Sequence, residues 1–199
     1  LEAVCADYDN VILILNSAAP MELGFLDDPD HYAYQENIKG AVWIGDPGFS
    51  GINALGKVLN GTINPSGRLV DTYARDFTQD PTWENFGNNR TYMGNRYLVD
   101  GKMSSKYAYF SVDYEEGIYV GYRYYETRGA EGVTGGEGEQ WYKEHVVYPL
   151  GYGESYTDFE WNLSNRDELA GKEISADQKL TFQVEVKNTG DVSGKDVVQ

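Results

Sequence analysis

Cysteine occurs once in these 199 residues, at Cys5, so no disulfide can form within the chain. Histidine occurs twice, at His31 and His145, and this pair has no zinc-ligand spacing, so neither a metal nor another cofactor is expected. Positive charge is scarce as well: 16 Lys and Arg stand against 32 Asp and Glu, a formal net charge of −16, with no basic cluster. Affinity for polynucleotides rests on cations that neutralise phosphates, so nucleic acid is excluded as a partner and an anionic membrane surface fits equally poorly. No apolar stretch reaches the ~20 residues that span a bilayer. No basic segment leading into an apolar one marks a signal peptide, and localisation stays open between a bacterial cytoplasm and secretion. The acidic surplus reads as a solvated surface.

Aromatic residues are plentiful instead, with 17 Tyr and 4 Trp. Flat rings with a polar handle suit wet interfaces and sugar faces, although most such rings fill the core or rim of β-structure. The length allows one ordinary domain and a small second one. The chain starts at Leu1 inside a helical pattern and stops at Val197-Val198-Gln199 in a strand-like run, so a fragment of a longer protein is expected.

Leu1, Val4, Cys5 and Tyr8 recur at helical spacing. Val11 to Leu15 is a continuous apolar run, the pattern of a strand covered on both faces in a parallel sheet. Ala41 to Ile44 is a second short run, and Gly45-Asp46-Pro47-Gly48 turns into a helix with Ile52, Leu55, Val58 and Leu59 on one face. Asn60-Gly61 closes that helix, because both residues accept the left-handed cap conformation. Leu69 to Tyr73 reads as another strand, completing a βαβ-type unit. Ala74 to Asp113 is long, polar and without a clear pattern, a length usual for functional or flexible loops. Gly117 to Glu126 alternates and is expected as a strand, and Gly129 to Glu139 as a glycine-rich loop. After Tyr156, alternating segments at Thr157 to Trp161, Lys179 to Val186 and Lys195 to Gln199 read as the beginning of a β-sandwich.

Four blocks occur in a fixed order: Trp43-Ile44-Gly45-Asp46-Pro47-Gly48, Ile63-Asn64-Pro65-Ser66-Gly67-Arg68, Glu116 to Tyr125 reading EGIYVGYRYY, and Tyr148-Pro149-Leu150-Gly151-Tyr152-Gly153. Together they resemble the second, α/β sandwich domain of glycoside hydrolase family 3, the retaining β-glucosidases and their relatives. The resemblance implies an α/β fold for residues 1–156, a layered sandwich with a mostly parallel sheet. The Val-Lys-Asn-Thr-Gly step at Val186 to Gly190 is similar to the start of the family's fibronectin type III-like domain, which implies a truncated all-β, immunoglobulin-like segment over 157–199.

A retaining glycosidase needs two carboxyl groups roughly 5 Å apart. Asp113, Glu115 and Glu116 form the densest carboxylate cluster beside tyrosines, but an ion pair between Glu116 and Arg123 would explain both without catalysis. The resemblance implies the same: the family's nucleophile is an Asp on a separate barrel domain, and its acid/base is commonly a Glu ahead of the strand that Val11 to Leu15 matches. Neither stretch lies in this chain, so no catalytic residue is assigned. The expected partners are an oligosaccharide or glycoside substrate and the barrel domain of the same parent chain. Trp43, Tyr114, Glu116 and Arg123, at strand ends or beside the long loop, are the candidates for the substrate-binding rim, with Trp43 also readable as core. The parent is expected to be an exo-acting β-glycosidase, first a β-glucosidase. A β-xylosidase or β-N-acetylglucosaminidase of the same family, and a non-catalytic carbohydrate-binding or structural module, are the alternatives.

Departures from the family wording bear on substrate. Phe49-Ser50 stands where Gln-Glu is usual, Glu154 where Leu is common, and the stretch from Thr78 to Asp113 is longer than the family's short form. Three glycosylation sequons, at Asn60, Asn89 and Asn162, are close to what chance provides in an Asn-rich chain.

Overall fold

The computed structural model describes residues 1–83, 98–99, 102–103, 114–131 and 137–198. They form two compact units, Leu1–Asp46 with Val70–Leu150, and Pro47–Leu69 with Gly151–Gln199. Mixed helices and small sheets give the α/β character that the sequence pattern implies, but among the described residues the parallel order is confined to one pair of strands and the other three pairs are antiparallel.

The first unit opens with helix α1 (Glu2–Asp7), whose Cys5 is buried, and strand β1 (Val11–Leu15). Strand β2 (Ile38–Trp43) pairs with β1 in parallel, Leu15 opposite Trp43 at the carboxyl end. Val11 is buried while Ile12 and Ile14 are largely exposed, so the pair is covered on one face rather than the two that a continuous apolar run suggests. The crossover returns to β2 beside α1, where the Asn37 side chain donates to the carbonyls of Cys5 and Tyr8.

Further along, strand β3 (Tyr73–Ala74) pairs antiparallel with β6 (Val146–Tyr148), behind helices α3 (Tyr122–Glu131) and α4 (Gly138–His145). Ala74, Tyr125 and Val146 form the buried centre, packed by Phe77, Tyr124, Trp141 and Tyr142. Gly129 makes the close approach of α3 to α4 possible: a Cβ there would lie 2.6 Å from the Tyr142 ring. Two short strands, β4 (Leu98–Val99) and β5 (Lys102–Met103), pair antiparallel within the long segment.

The strand expected over Gly117 to Glu126 is a turn followed by α3. Its alternation is real, but Tyr124, Tyr125 and Arg128 recur at helical spacing and pack on Trp141 of α4, while Ile118 of the alternating set is 75% exposed. Burial follows the helical period. Likewise the strand expected from Leu69 shortens to β3, because Leu69 exchanges backbone hydrogen bonds with Gly151 and Tyr152 instead. Asp113 and the centre of the glycine-rich loop expected after Gly129 lie outside the described residues.

In the second unit, helix α2 (Gly48–Leu59) ends as its sequence indicates: the Asn60 and Gly61 amides bond back to Gly56 and Val58, and Gly61 takes φ of 76°. Leu55 and Val58 are half-buried, Ile52 and Leu59 exposed. Strands β7 (Phe159–Leu163) and β8 (Val184–Asn188) pair antiparallel, with the short helix α5 (Arg166–Leu169) after β7. Residues 195–198 form no strand, so the third strand of the expected sandwich is absent among the described residues.

Candidate functional site

In the first unit the carboxyl end of the parallel pair carries Trp43, which is half-buried at the end of β2, neither core nor free surface. Its indole N–H donates to the Ser17 carbonyl at 2.7 Å, tying β2 to the loop that leaves β1. The chain then turns at Gly45, whose φ of 59° places it under the edge of the indole ring. This is the sheet edge where open α/β folds gather ligands.

Tyr114, Glu116 and Arg123 sit on the turn before α3 and on its first turn of helix. Gly117 donates to the Tyr114 carbonyl and Tyr119 to that of Glu116, so the backbone beneath both candidates is fixed locally. Tyr114 is 61% exposed and Arg123 exposed, while Glu116 is half-buried. The ion pair expected between Glu116 and Arg123 is not formed among the described residues: Glu116 accepts a 2.6 Å hydrogen bond from the Thr82 hydroxyl, a residue 34 positions earlier. A buried hydroxyl at close range holds the carboxylate, leaving Arg123 on the exposed side of α3.

Thr82 belongs to a small polar network that sequence reading missed. Its amide donates to the Asp80 carboxylate at 3.0 Å, and the other oxygen of that carboxylate lies 3.5 Å from the buried Tyr125 hydroxyl. Burial, with the Asp80 charge beside it, pushes the Tyr125 phenol well above its ordinary range, so it stays protonated and donates. The available signal was Asp80-Pro81-Thr82, whose Asp at the first position forms an Asx turn with the amide two residues on. Beneath the network lie stacked rings: Tyr125 on Trp141 at 6.0 Å, Trp141 on His145 at 4.4 Å, and the Arg128 guanidinium 4.3 Å from the Trp141 ring.

The second unit contains a separate polar cleft of about 400 Å³, lined by Arg68, Glu154, Ser155, Thr157, Asp158 and Phe159 among others, and none of the four rim candidates. At its floor Arg68 pairs with Asp196 at 2.6 Å, and the Trp161 indole donates to the second oxygen of Asp196 at 2.8 Å. Desolvation works to raise the Asp196 pKa, but the bonds from Trp161, the Val197 amide and Arg68 outweigh it and hold it below the usual carboxylate value. Asn64 accepts from Ser155 and the Tyr156 amide and donates to the Ser193 carbonyl. Gly153 lies so close to Gly67 that a Cβ would stand 2.4 Å from its carbonyl oxygen. Thus the Asn-Pro-Ser-Gly-Arg and Tyr-Gly blocks are two halves of one joint.

Among the described residues no group of His, Cys, Asp and Glu is arranged to hold a metal ion, and no helix is long and apolar enough to cross a membrane.

Residues 1–122 match the family model described as the glycosyl hydrolase family 3 C-terminal domain. The whole chain is 29% identical over 201 residues to thermostable beta-glucosidase B of Acetivibrio thermocellus, of which it spans 20%, and 32% identical over 199 residues to a beta-glucosidase of Rhizobium radiobacter, of which it spans 19%. Its backbone is similar to the crystal structure of a beta-glucosidase from Paenibacillus barengoltzii, with a TM-score of 0.63 and 30% identity over 95% of this chain and 16% of that one. The chain therefore spans about a fifth of the length of the curated relatives it matches.

Proposed function

The chain belongs to the glycosyl hydrolase family 3 C-terminal domain family, and from that premise we propose that its parent protein is a retaining, exo-acting β-glycosidase, most specifically a β-glucosidase. In this reading both catalytic carboxylates lie outside these 199 residues, and the chain supplies one wall of the sugar pocket on the aglycone side. Residues 1–156 are the α/β domain and 157–199 the start of a fibronectin type III-like domain. The observation that carries the reading is similarity over the whole chain to proteins named as beta-glucosidases.

Local geometry supports this division of labour. Glu116 is engaged by a buried hydroxyl, and the Asp80 carboxylate is taken up by Thr82 and Tyr125. Trp43, at a sheet edge, and Tyr114, on an exposed turn, each suit contact with a sugar ring, and the bond from Thr82 to Glu116 helps hold the turn that carries Tyr114.

Hydrolysis of aryl β-glucoside, β-xyloside and β-N-acetylglucosaminide by this chain and by the full-length parent tests the proposal. Activity confined to the parent, and greatest on the β-glucoside, is the expected result. Turnover by the 199 residues alone would put the catalytic pair inside them and overturn it.

A further inference from the structure

Asn60-Gly61 is the one asparagine–glycine pair in the sequence. The chemistry of such a pair is general: glycine carries no side chain to shield its amide nitrogen, which can reach the asparagine Cγ and close a five-membered imide. Asn60, Gly61 and Thr62 are all exposed, so the water that completes the reaction has free access. In the folded chain, however, the reacting atoms are occupied. The Gly61 amide donates to the Val58 carbonyl at 3.0 Å, and the Asn60 side-chain oxygen accepts from the Thr62 amide at 3.0 Å and the Thr62 hydroxyl at 2.6 Å.

The backbone angle opposes the reaction as well. At Asn60 ψ is 4°, so the Gly61 nitrogen eclipses the Asn60 nitrogen and stands away from Cβ, whereas ring closure needs it beside Cβ. Turning the Asn60 Cα–C bond to that position carries the Gly61 amide off Val58. The last turn of α2 is also held from outside: the Tyr156 hydroxyl, 98 positions on from Val58, donates to the same Val58 carbonyl at 2.9 Å, and the Ile63 amide donates to that of Lys57 at 3.0 Å. Ring closure therefore waits on a local opening of the helix end.

We propose that Asn60 is a site of spontaneous deamidation, latent in the folded chain and released when the C-terminal end of α2 opens, with the Tyr156 hydroxyl as the strap that sets how often it does. In the first step the Gly61 nitrogen bonds to Asn60 Cγ, the Cγ–Nδ2 bond breaks, and the Gly61 amide proton leaves with Nδ2 as ammonia. Water then adds to either imide carbonyl, giving aspartate, or isoaspartate in which the chain runs through Cγ. Either product weakens the cap. Both put a carboxylate at the helix C-terminus, whose partial negative charge opposes it. Isoaspartate also lengthens the backbone by one carbon, which displaces the Gly61 amide from Val58. The altered turn leads into Asn64, which holds Ser155 and the Tyr156 amide, so the change acts on the joint of this unit.

The test is peptide mapping by mass spectrometry of the full-length parent, incubated folded or in guanidinium chloride at one pH and temperature, with deamidation measured at each asparagine of these 199 residues. In guanidinium chloride Asn60 is expected to react fastest of these asparagines, and another reacting faster overturns the site. In the folded protein its rate is expected to be at least about tenfold lower, and equal rates overturn the latency. Tyr156→Phe, which removes an exposed hydroxyl and keeps the ring, is expected to raise the folded rate about fivefold and to leave the unfolded rate as it was. An unchanged folded rate in that variant overturns the strap. None of these readouts depends on the glycosidase reading.

Discussion

The two units are held together by different physics. Among the described residues every buried hydrophobic one, Cys5, Val11, Leu23, Tyr73, Ala74, Tyr125 and Val146, lies in the first unit. The second unit's buried residues are polar, Thr157 and Asn165, with Thr157 donating to Asn188 and Asn165 bonding both the carbonyl of Thr181 and the amide of Gln183. Around them, Val184, Val186 and Phe182 remain exposed. An aromatic core gains by removing area from water, a contribution that scales with the area buried and not with the alignment of single donors and acceptors. A polar joint gains only while each donor faces its acceptor, so one lost partner leaves another stranded. The first unit should therefore fail gradually with lost volume, and the second at single bonds.

The largest expected effect is in the aromatic core. Tyr125→Ala removes a buried ring that stacks on Trp141 and touches Tyr124, and should cost about 3–4 kcal/mol of the first unit's stability. Urea unfolding followed by tryptophan emission measures it. A loss under about 1 kcal/mol would mean that the ring cluster is not the unit's core.

Next comes the joint of the second unit. Arg68→Met should cost about 3 kcal/mol, because Asp196 is left desolvated without its cation. Hydrogen exchange of the β7 and β8 amides should accelerate while that of α3 and α4 holds, and equal acceleration in both would contradict the division into two kinds of unit. The Asp196 pKa is depressed in the folded chain, so the joint's contribution is present above the ordinary Asp value and lost as pH falls through the lower, folded one. Acid should consequently loosen β7 and β8 before the aromatic core, an order that far- and near-ultraviolet dichroism on acidification can check.

The smallest effect sharpens the comparison from within the first unit, at its exposed polar pair. Asp28 bonds the His31 ring at 2.8 Å, lowering the Asp28 pKa and raising that of His31, largest through that hydrogen bond in each case. A raised histidine stabilises below its unfolded value and loses that contribution as pH rises through the folded value; the depressed Asp28 loses its own as pH falls. The pair should thus stabilise only between these limits, and His31 is exposed with Asp28 only half-buried, so Asp28→Asn should flatten the pH dependence without a measurable shift of the thermal midpoint at pH 8. An NMR titration of the His31 ring, with its pKa returning to the ordinary value in Asp28→Asn, is the direct check.

Much of this was legible beforehand because local chemistry governs it. Val11 to Leu15 is a strand as its apolar run requires, Asn60-Gly61 ends α2, and the order of the four blocks led to the family that the match over residues 1–122 establishes. The misreadings share one cause. Gly117 to Glu126 has both a twofold and a helical pattern, and only the packing of Tyr125 against Trp141 chooses between them. Glu116 and Arg123 are close in sequence, yet Glu116 spends its carboxylate on Thr82, a partner that becomes a neighbour only in the folded chain.

Composition and pattern by themselves determined the first strand, the end of α2, the absence of an internal disulfide and the family, since each depends on residues near one another or on the count of one residue type. Tertiary structure alone decided which block meets which. Asn64 and Arg68 reach 91 and 128 positions to Ser155 and Asp196, and Thr82 reaches 34 to Glu116. Side-chain hydrogen bonds and ion pairs act over about 3 Å, so separation along the chain says nothing about them until the backbone has brought the partners together.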